Sequence, residues 1–412
     1  MSSMKIQALR TRHCAVTLAL VAVFATGKFA GAYAKPYTEQ VLSSFNGADG
    51  EYPMGGLVRD KAGNLFGTTS IGGANGIGTV FELTHSGTLH TLWTFTGGSD
   101  GSYPYAAPIL VGGNLYGTAG FGGNNGSGAV YALDIKTGKL KTLHSFDGGD
   151  GAMPWAPLIR DSSGNLYGTT YNGGSGGGYG VVFELSAAGA YSVLYNFTGL
   201  NGDGEHPIAG LYRDSAGNLY GTTVYGGNTN CRDCGGGGTV FRLAPSGEET
   251  VLFKFPNATG PSQPWAPVTM DGSGNLYGAT YDGGDGCGGS GCGNLFEITN
   301  AGNYVSLFEF PTDGLQGSNP EAGMIYRKGN LFGTTNGNAA DEGTVFEFDV
   351  AKTKMHVLYA FPPIGGGDGA RPGTGTIVRD KSGNLYGTTT YGGTGNCSGS
   401  CGTVYEVSPG GK

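Results

Sequence analysis

Three pairs of cysteines stand close together in the chain: Cys231 with Cys234, Cys287 with Cys292, and Cys397 with Cys401. Two chemistries suit that spacing. In an oxidising compartment each pair closes a small disulfide ring, contributing about 2 kcal/mol or less by the chain-entropy estimate. The rivals are a zinc site joining the first two pairs, since C-x-x-C is ligand-like, and thiol redox at "CRDC", which lacks a strand-helix-strand setting. Disulfides that stiffen long glycine loops are the expectation, with no resident metal and no cofactor. Acid-base chemistry has weaker candidates in His206, Glu321 and Arg371. A glycosidase needs a carboxylate pair, and a polysaccharide lyase a base beside a charge-neutralising cation. No spacing in the chain selects these three. There is no H-E-x-x-H or Walker phrase, and G-x-S-x-G, which occurs from Gly97 and from Gly173, carries no more weight than the G-x-G runs among 84 glycines in 412 residues. Asp100, Asp150, Asp203 and Asp368 each precede a glycine and suggest calcium. One carboxylate per loop is too few for its shell, so these are read as turn residues.

Aromatic residues make a more regular pattern. Tyr105, Trp155 and Trp265 each follow a proline, while Phe121, Tyr171, Tyr225, Tyr281 and Tyr391 stand just before or near a double glycine. Exposed flat rings stack on sugar faces or peptides at small entropic cost, so these eight are the candidate ligand-binding residues. Packing between structural units, or plugging a channel mouth, is the competing use. Asp282, Asp285, Glu205, His206, Glu321 and Arg371 lie beside them in sequence.

The elements that position these groups come from a repeat. "GNLYGTT" at Gly164 recurs in close variants from Gly63, Gly113, Gly217, Gly274, Gly329 and Gly383. Asn64, Asn114, Asn165, Asn218, Asn275, Asn330 and Asn384 mark it at spacings of 50, 51, 53, 57, 55 and 54 residues, one supersecondary unit per repeat. Each unit holds four strand-length apolar segments, as in "APLIRD", "NLYGTT", "GVVFEL" and "YSVLYNF" between Ala156 and Phe197. A D-x-x-G-N phrase at Asp60, Asp161, Asp214, Asp271 and Asp380 supplies the turn between the first two.

Four antiparallel strands with two apolar faces make a blade, and seven blades set radially cover one another. A lone fourth-strand phrase, "VLSSF" from Val41, opens the repeat region, and the last repeat stops after a third strand at "GTVYEV". The expected fold is all-β: a seven-bladed propeller closed by the N-terminal strand. The second-to-third and fourth-to-next-first connections share one end and are the long ones, so variable loops gather on one rim. His206 falls there, whereas His90, His144 and His356 fall in fourth strands and His85 in a short turn.

The order "GNLYGTT", double glycine, "GTVFEL", L-x-x-F and D-G-x-x-P resembles the GloVer-type tandem repeats, also described as extracellular HAF-family repeats, from about Tyr37 to Pro409. The resemblance implies a secreted bacterial repeat protein and says almost nothing of activity. Kelch propellers share the double glycine as an architectural likeness only.

Export agrees with the leading residues. Lys5, Arg10 and Arg12 precede the apolar "AVTLALVAVFA", and Ala32, Tyr33 and Ala34 give a small-x-small cleavage pattern. Residues 1–34 are therefore expected to be a signal peptide and residues 35–412 one propeller domain. No membrane span is expected after cleavage, and the location is secreted or periplasmic. Residues 35–412 carry 19 basic and 31 acidic side chains, which disfavours nucleic acid and anionic membranes. The expected partner is an extracellular polysaccharide or protein, bound by a monomer through the long-loop rim. The alternatives are a glycan-cleaving enzyme and a protein-interaction scaffold.

Overall fold

The computed structural model describes residues 37–227, 236–256, 260–283, 291–337, 342–365, 367–395, 397 and 401–410. Among these every regular element is a strand. Blade 3 shows the plan: Ile159–Arg160, Leu166–Thr170, Val181–Leu185 and Tyr191–Asn196 pair in order as an antiparallel sheet. Blades 1, 2, 4, 5 and 6 repeat it. In blade 7 the fourth strand is Tyr37–Ser44, paired with Thr403–Pro409, so the ring closes as the sequence predicts. The signal-peptide reading falls outside the described residues.

The repeated phrase is explained letter by letter. In "NLYGTT" of blade 3, Leu166 is buried in the core. Asn165 and the Tyr167 hydroxyl both donate to Asp161, at 3.1 and 3.2 Å from its Oδ2. Burial works to raise the Asp161 carboxyl, but the backbone N–H of Asn165, the Tyr167 hydroxyl and the backbone N–H groups of Ser163 and Gly164 outweigh it and hold the group below its ordinary value. Gly168 is required by contact, since a Cβ there would lie 2.6 Å from Phe183 of the third strand. Thr169 donates to the Ala209 carbonyl of the next blade at 3.2 Å, as Thr68, Thr118, Thr222 and Thr388 do at their own junctions. Thr170 turns back to the Asn172 carbonyl of its own loop.

The core lies between blades. Each fourth strand is followed at once by a phenylalanine that is essentially fully buried, and its ring meets, edge to face, the third-strand ring of the following blade. The pairs are Phe45–Phe81, Phe95–Tyr131, Phe146–Phe183, Phe197–Phe241, Phe255–Phe296, Phe310–Phe346 and Phe361–Tyr405, with centroids 5.0 to 6.0 Å apart. The one-residue shift in register between third and fourth strands, seen in every blade, lets the L-x-x-F segment add twist.

Tyr131 and Tyr405 stand where the other blades have phenylalanine, and their buried hydroxyls reach no hydrogen-bond partner among the described residues. A buried polar group left unpaired costs about 1–3 kcal/mol. Tyr131→Phe and Tyr405→Phe are therefore expected to leave stability unchanged or raise it by up to about 1 kcal/mol. Phe241→Ala should cost about 3–5 kcal/mol. Urea unfolding midpoints check both, and clear destabilisation by both tyrosine changes would show the hydroxyls to be paired.

Candidate functional site

Seven chain segments converge on the long-loop rim, each carrying a buried proline into a first strand. The residue before that proline is left-handed in every blade: Tyr52, Tyr103, Met153, His206, Gln263, Asn319 and Arg371 have φ between 52° and 57°. A non-glycine residue there costs roughly 1–3 kcal/mol, and proline biases its predecessor towards extended backbone. The context that holds it is shared. Each N–H donates to a carbonyl of the preceding blade at 2.7 to 3.0 Å, for example His206 to Tyr179 and Arg371 to Glu342. In the first six blades its carbonyl accepts from the loop after its own second strand, as Met153 does from Tyr171. The proline itself packs on the glycine before the preceding blade's third strand. At Gly128, with φ of 103°, a Cβ would lie 2.5 Å from Pro154. One backbone frame thus presents seven side chains of six types.

The residues after the prolines surround a cavity of about 490 Å³ on the ring axis, including Met54, Tyr105, Trp155, Ile208, Trp265 and Glu321. Tyr105, Trp155 and Trp265 line it as the sequence places them. Phe121 and Tyr171 pack on Trp155, with Tyr171 stacked at 4.5 Å and Phe121 tilted at 6.3 Å. Tyr171 also stacks on His206 at 4.5 Å, and Tyr225 meets His206 edge-on at 6.1 Å. The result is an aromatic arc from Tyr105 through Trp155, Tyr171 and His206 to Tyr225. Its residues are half-buried, so the packing between units weighed in the sequence is present. The His206 ring is held by its Nδ1, 2.9 Å from the Tyr171 carbonyl oxygen.

The other side of the rim is polar. Trp265 and Tyr281 lie 5.4 Å apart, and the Tyr281 carbonyl accepts from Asn319 at 3.0 Å. Glu321 Oε2 accepts from Asn336 Nδ2 at 3.1 Å. Burial pushes the Glu321 carboxyl up to about 7, against the lowering effects of Asn336 and Arg371. Arg371 has its Nε 4.0 Å from Glu342 and its guanidinium 5.6 Å from the Tyr391 ring, which meets Tyr52 edge-on. Glu321 and Arg371 therefore share one electrostatic neighbourhood, whereas the His206 ring meets Tyr171, Tyr179 and Tyr225. Burial also raises the Asp282 carboxyl, and Glu205 is buried in a short strand paired with Tyr225–Gly226.

Cys397 and Cys401 form a disulfide with Cα atoms 5.5 Å apart. Cys292 is buried, and Cys231, Cys234, Cys287 and Asp285 lie outside the described residues. Sequence reasoning missed Tyr52, Tyr103, Met153, Gln263 and Asn319 as rim positions. Their signal was a residue changing from blade to blade immediately before an unchanging proline.

The family model of the Gloeobacter/Verrucomicrobia repeat matches residues 32–232 and 176–405. A comparison with curated proteins found no match. Among solved structures, the oligogalacturonate lyase of Vibrio parahaemolyticus is similar at a TM-score of 0.54 and 10% identity, over 91% of this chain and 97% of that one. An oligogalacturonate lyase in complex with manganese gives 0.52 and 13%, over 91% and 96%. A nidogen/laminin complex chain gives 0.42 and 16%, over 70% and 91%. At these identities the likeness shows the fold alone.

Three carboxyls are pushed up to about 7. Glu321 is one; Glu39 is raised by burial and by Asp368, and Glu249 by burial and by Asp203 against the opposing Lys254. Each binds its proton more tightly folded than unfolded, so between the ordinary 4.5 and about 7 the folded chain holds more protons. Stability is expected to fall as pH rises through that window. The fall in Tm from pH 5 to pH 8, measured by calorimetry, should shrink in a variant combining Glu39→Gln, Glu249→Gln and Glu321→Gln. An undiminished fall would assign it to other groups.

Proposed function

This chain belongs to the Gloeobacter/Verrucomicrobia repeat family, and on that sevenfold frame we propose that it serves as an extracytoplasmic binding module for the sugar rings of an extracellular polymer. The observation that carries the reading is the aromatic arc on Trp155, opening on an axial cavity that also holds Trp265 and Tyr105. Fixed rings on half-buried residues offer apolar faces to sugar C–H groups with little entropy left to lose, and a few polar groups orient the ligand. The Cys397–Cys401 disulfide suits an oxidising compartment and so supports export.

A second reading, a glycan-cleaving enzyme using the same cavity, has one specific observation in its favour. Glu321, with its carboxyl raised to about 7 and Arg371 near it, suits proton transfer near neutral pH. Polysaccharide-lyase chemistry on this architecture is carried by the two oligogalacturonate lyases of like fold.

Native affinity electrophoresis through gels containing different polysaccharides, followed by assay for new reducing ends and unsaturated products, separates the two. Retardation without cleavage is expected. Trp155→Ala and Trp265→Ala should each weaken retention about tenfold, a loss near 1.4 kcal/mol, read on folded protein well below the Tm, which Trp155→Ala lowers by giving up its contacts with Tyr105, Phe121 and Tyr171. Unaltered retention in both variants would overturn the aromatic site, and cleavage would favour the enzyme.

A further inference from the structure

The axial cavity has a selection rule built into its charge and its position. Of its lining side chains Glu321 is the only acidic or basic one; the others include Met54, Leu57, Tyr105, Trp155, Ile208 and Trp265. No cation lines it among the described residues. Arg371, which acts on Glu321 and Tyr281, is already answered by Glu342 at 4.0 Å and by the face of Tyr391. A sugar carboxylate entering this apolar space would lose water and find no spare positive charge, and Glu321 opposes it wherever its own carboxyl is ionised. An uncharged sugar meets no such opposition.

Position adds a second limit. The ring is closed, with Thr388 Oγ1 donating to the Gly55 carbonyl at 2.9 Å and Gly375 N–H to Met54 at 3.1 Å across the junction of blades 7 and 1. Residues from all seven blades border the cavity, so it sits on the axis within the rim and does not run across the surface as a groove. A polymer crossing the rim would have to bend sharply on both sides to lower an internal sugar into it. A chain end enters directly, and about 490 Å³ is a small-molecule volume suited to a short terminal segment.

We propose that the cavity takes the terminal sugars of an uncharged glycan chain and excludes uronic-acid chains, an inference that rests on the sugar-binding reading of the rim. Calorimetric titration of the protein with short linear gluco-, manno- and xylo-oligosaccharides, and with oligogalacturonate of equal length, tests the charge rule. At least one neutral ligand should bind, with oligogalacturonate tenfold or more weaker. For the neutral ligand that binds, titration with longer chains should keep one protein per chain at every length.

Oligogalacturonate binding as tightly as the neutral sugars would overturn the charge rule and leave the sugar-binding reading standing. Protein bound per chain rising with length would overturn recognition of the end. If no sugar binds, both the inference and the reading beneath it fail. Trp155→Ala fixes the place of binding: unchanged affinity of the folded variant, read well below its Tm, would put the sugar elsewhere and overturn the proposal.

Discussion

Seven edge-to-face aromatic contacts hold this molecule as a ring. Each blade follows its fourth strand at once with a phenylalanine that reaches the third-strand ring of the next blade, and the last contact, Phe45 with Phe81, carries blade 7 back to blade 1. Such a pair contributes about 0.5–1.5 kcal/mol beyond the apolar area it buries, and it fixes the angle between neighbours as well as their distance. A single blade has two apolar faces and no core of its own. Its stability is therefore the stability of its two junctions. The N-terminal strand matters for this reason: Tyr37–Ser44 both completes a sheet and delivers Phe45 to the one junction that chain order leaves open.

The same constraint explains the glycines that the repeat cannot change. Gly168 and its equivalents let the third-strand ring lie flat across the second strand, where any Cβ would strike it. Gly128 and its equivalents let a proline from the next blade come down on the backbone. These close approaches draw the rim segments in tightly enough for the residue before each proline to bond its N–H across the blade junction. The left-handed conformation at Met153 or His206 is thus imposed by packing at a distance from it.

That origin also marks what the sequence could reveal. Strand order was legible because strand-length apolar runs and turn chemistry are local: Asp161 with Asn165 and Tyr167 closes a hairpin within a few residues, and the spare Val41 strand predicts closure. The cavity-lining rings of Tyr105, Trp155 and Trp265 were legible because a fixed phase after proline puts them beside the first strands. The left-handed ring was hidden, since a residue before proline is ordinarily extended and only the neighbouring blade reverses that preference. The raised carboxyls of Glu39 and Glu249 were hidden too. They occupy equivalent positions, opposite Val407 and Leu243, and their burial against the preceding blades is set by tertiary packing.

Framework and recognition are separated in this fold by a single peptide unit. The prolines, glycines and cross-blade hydrogen bonds are nearly invariant around the ring, while the side chains just before and after each proline run through tyrosine, methionine, histidine, glutamine, asparagine, arginine, tryptophan, isoleucine and glutamate. Because the backbone beneath them is held by neighbours on both sides, a change of side chain alters what the rim offers without altering where it is offered. Rigid placement lowers the entropy a ligand must overcome and makes the polar and aromatic rim selective. The strain at the seven left-handed residues is the cost of that placement, and the aromatic junctions offset it.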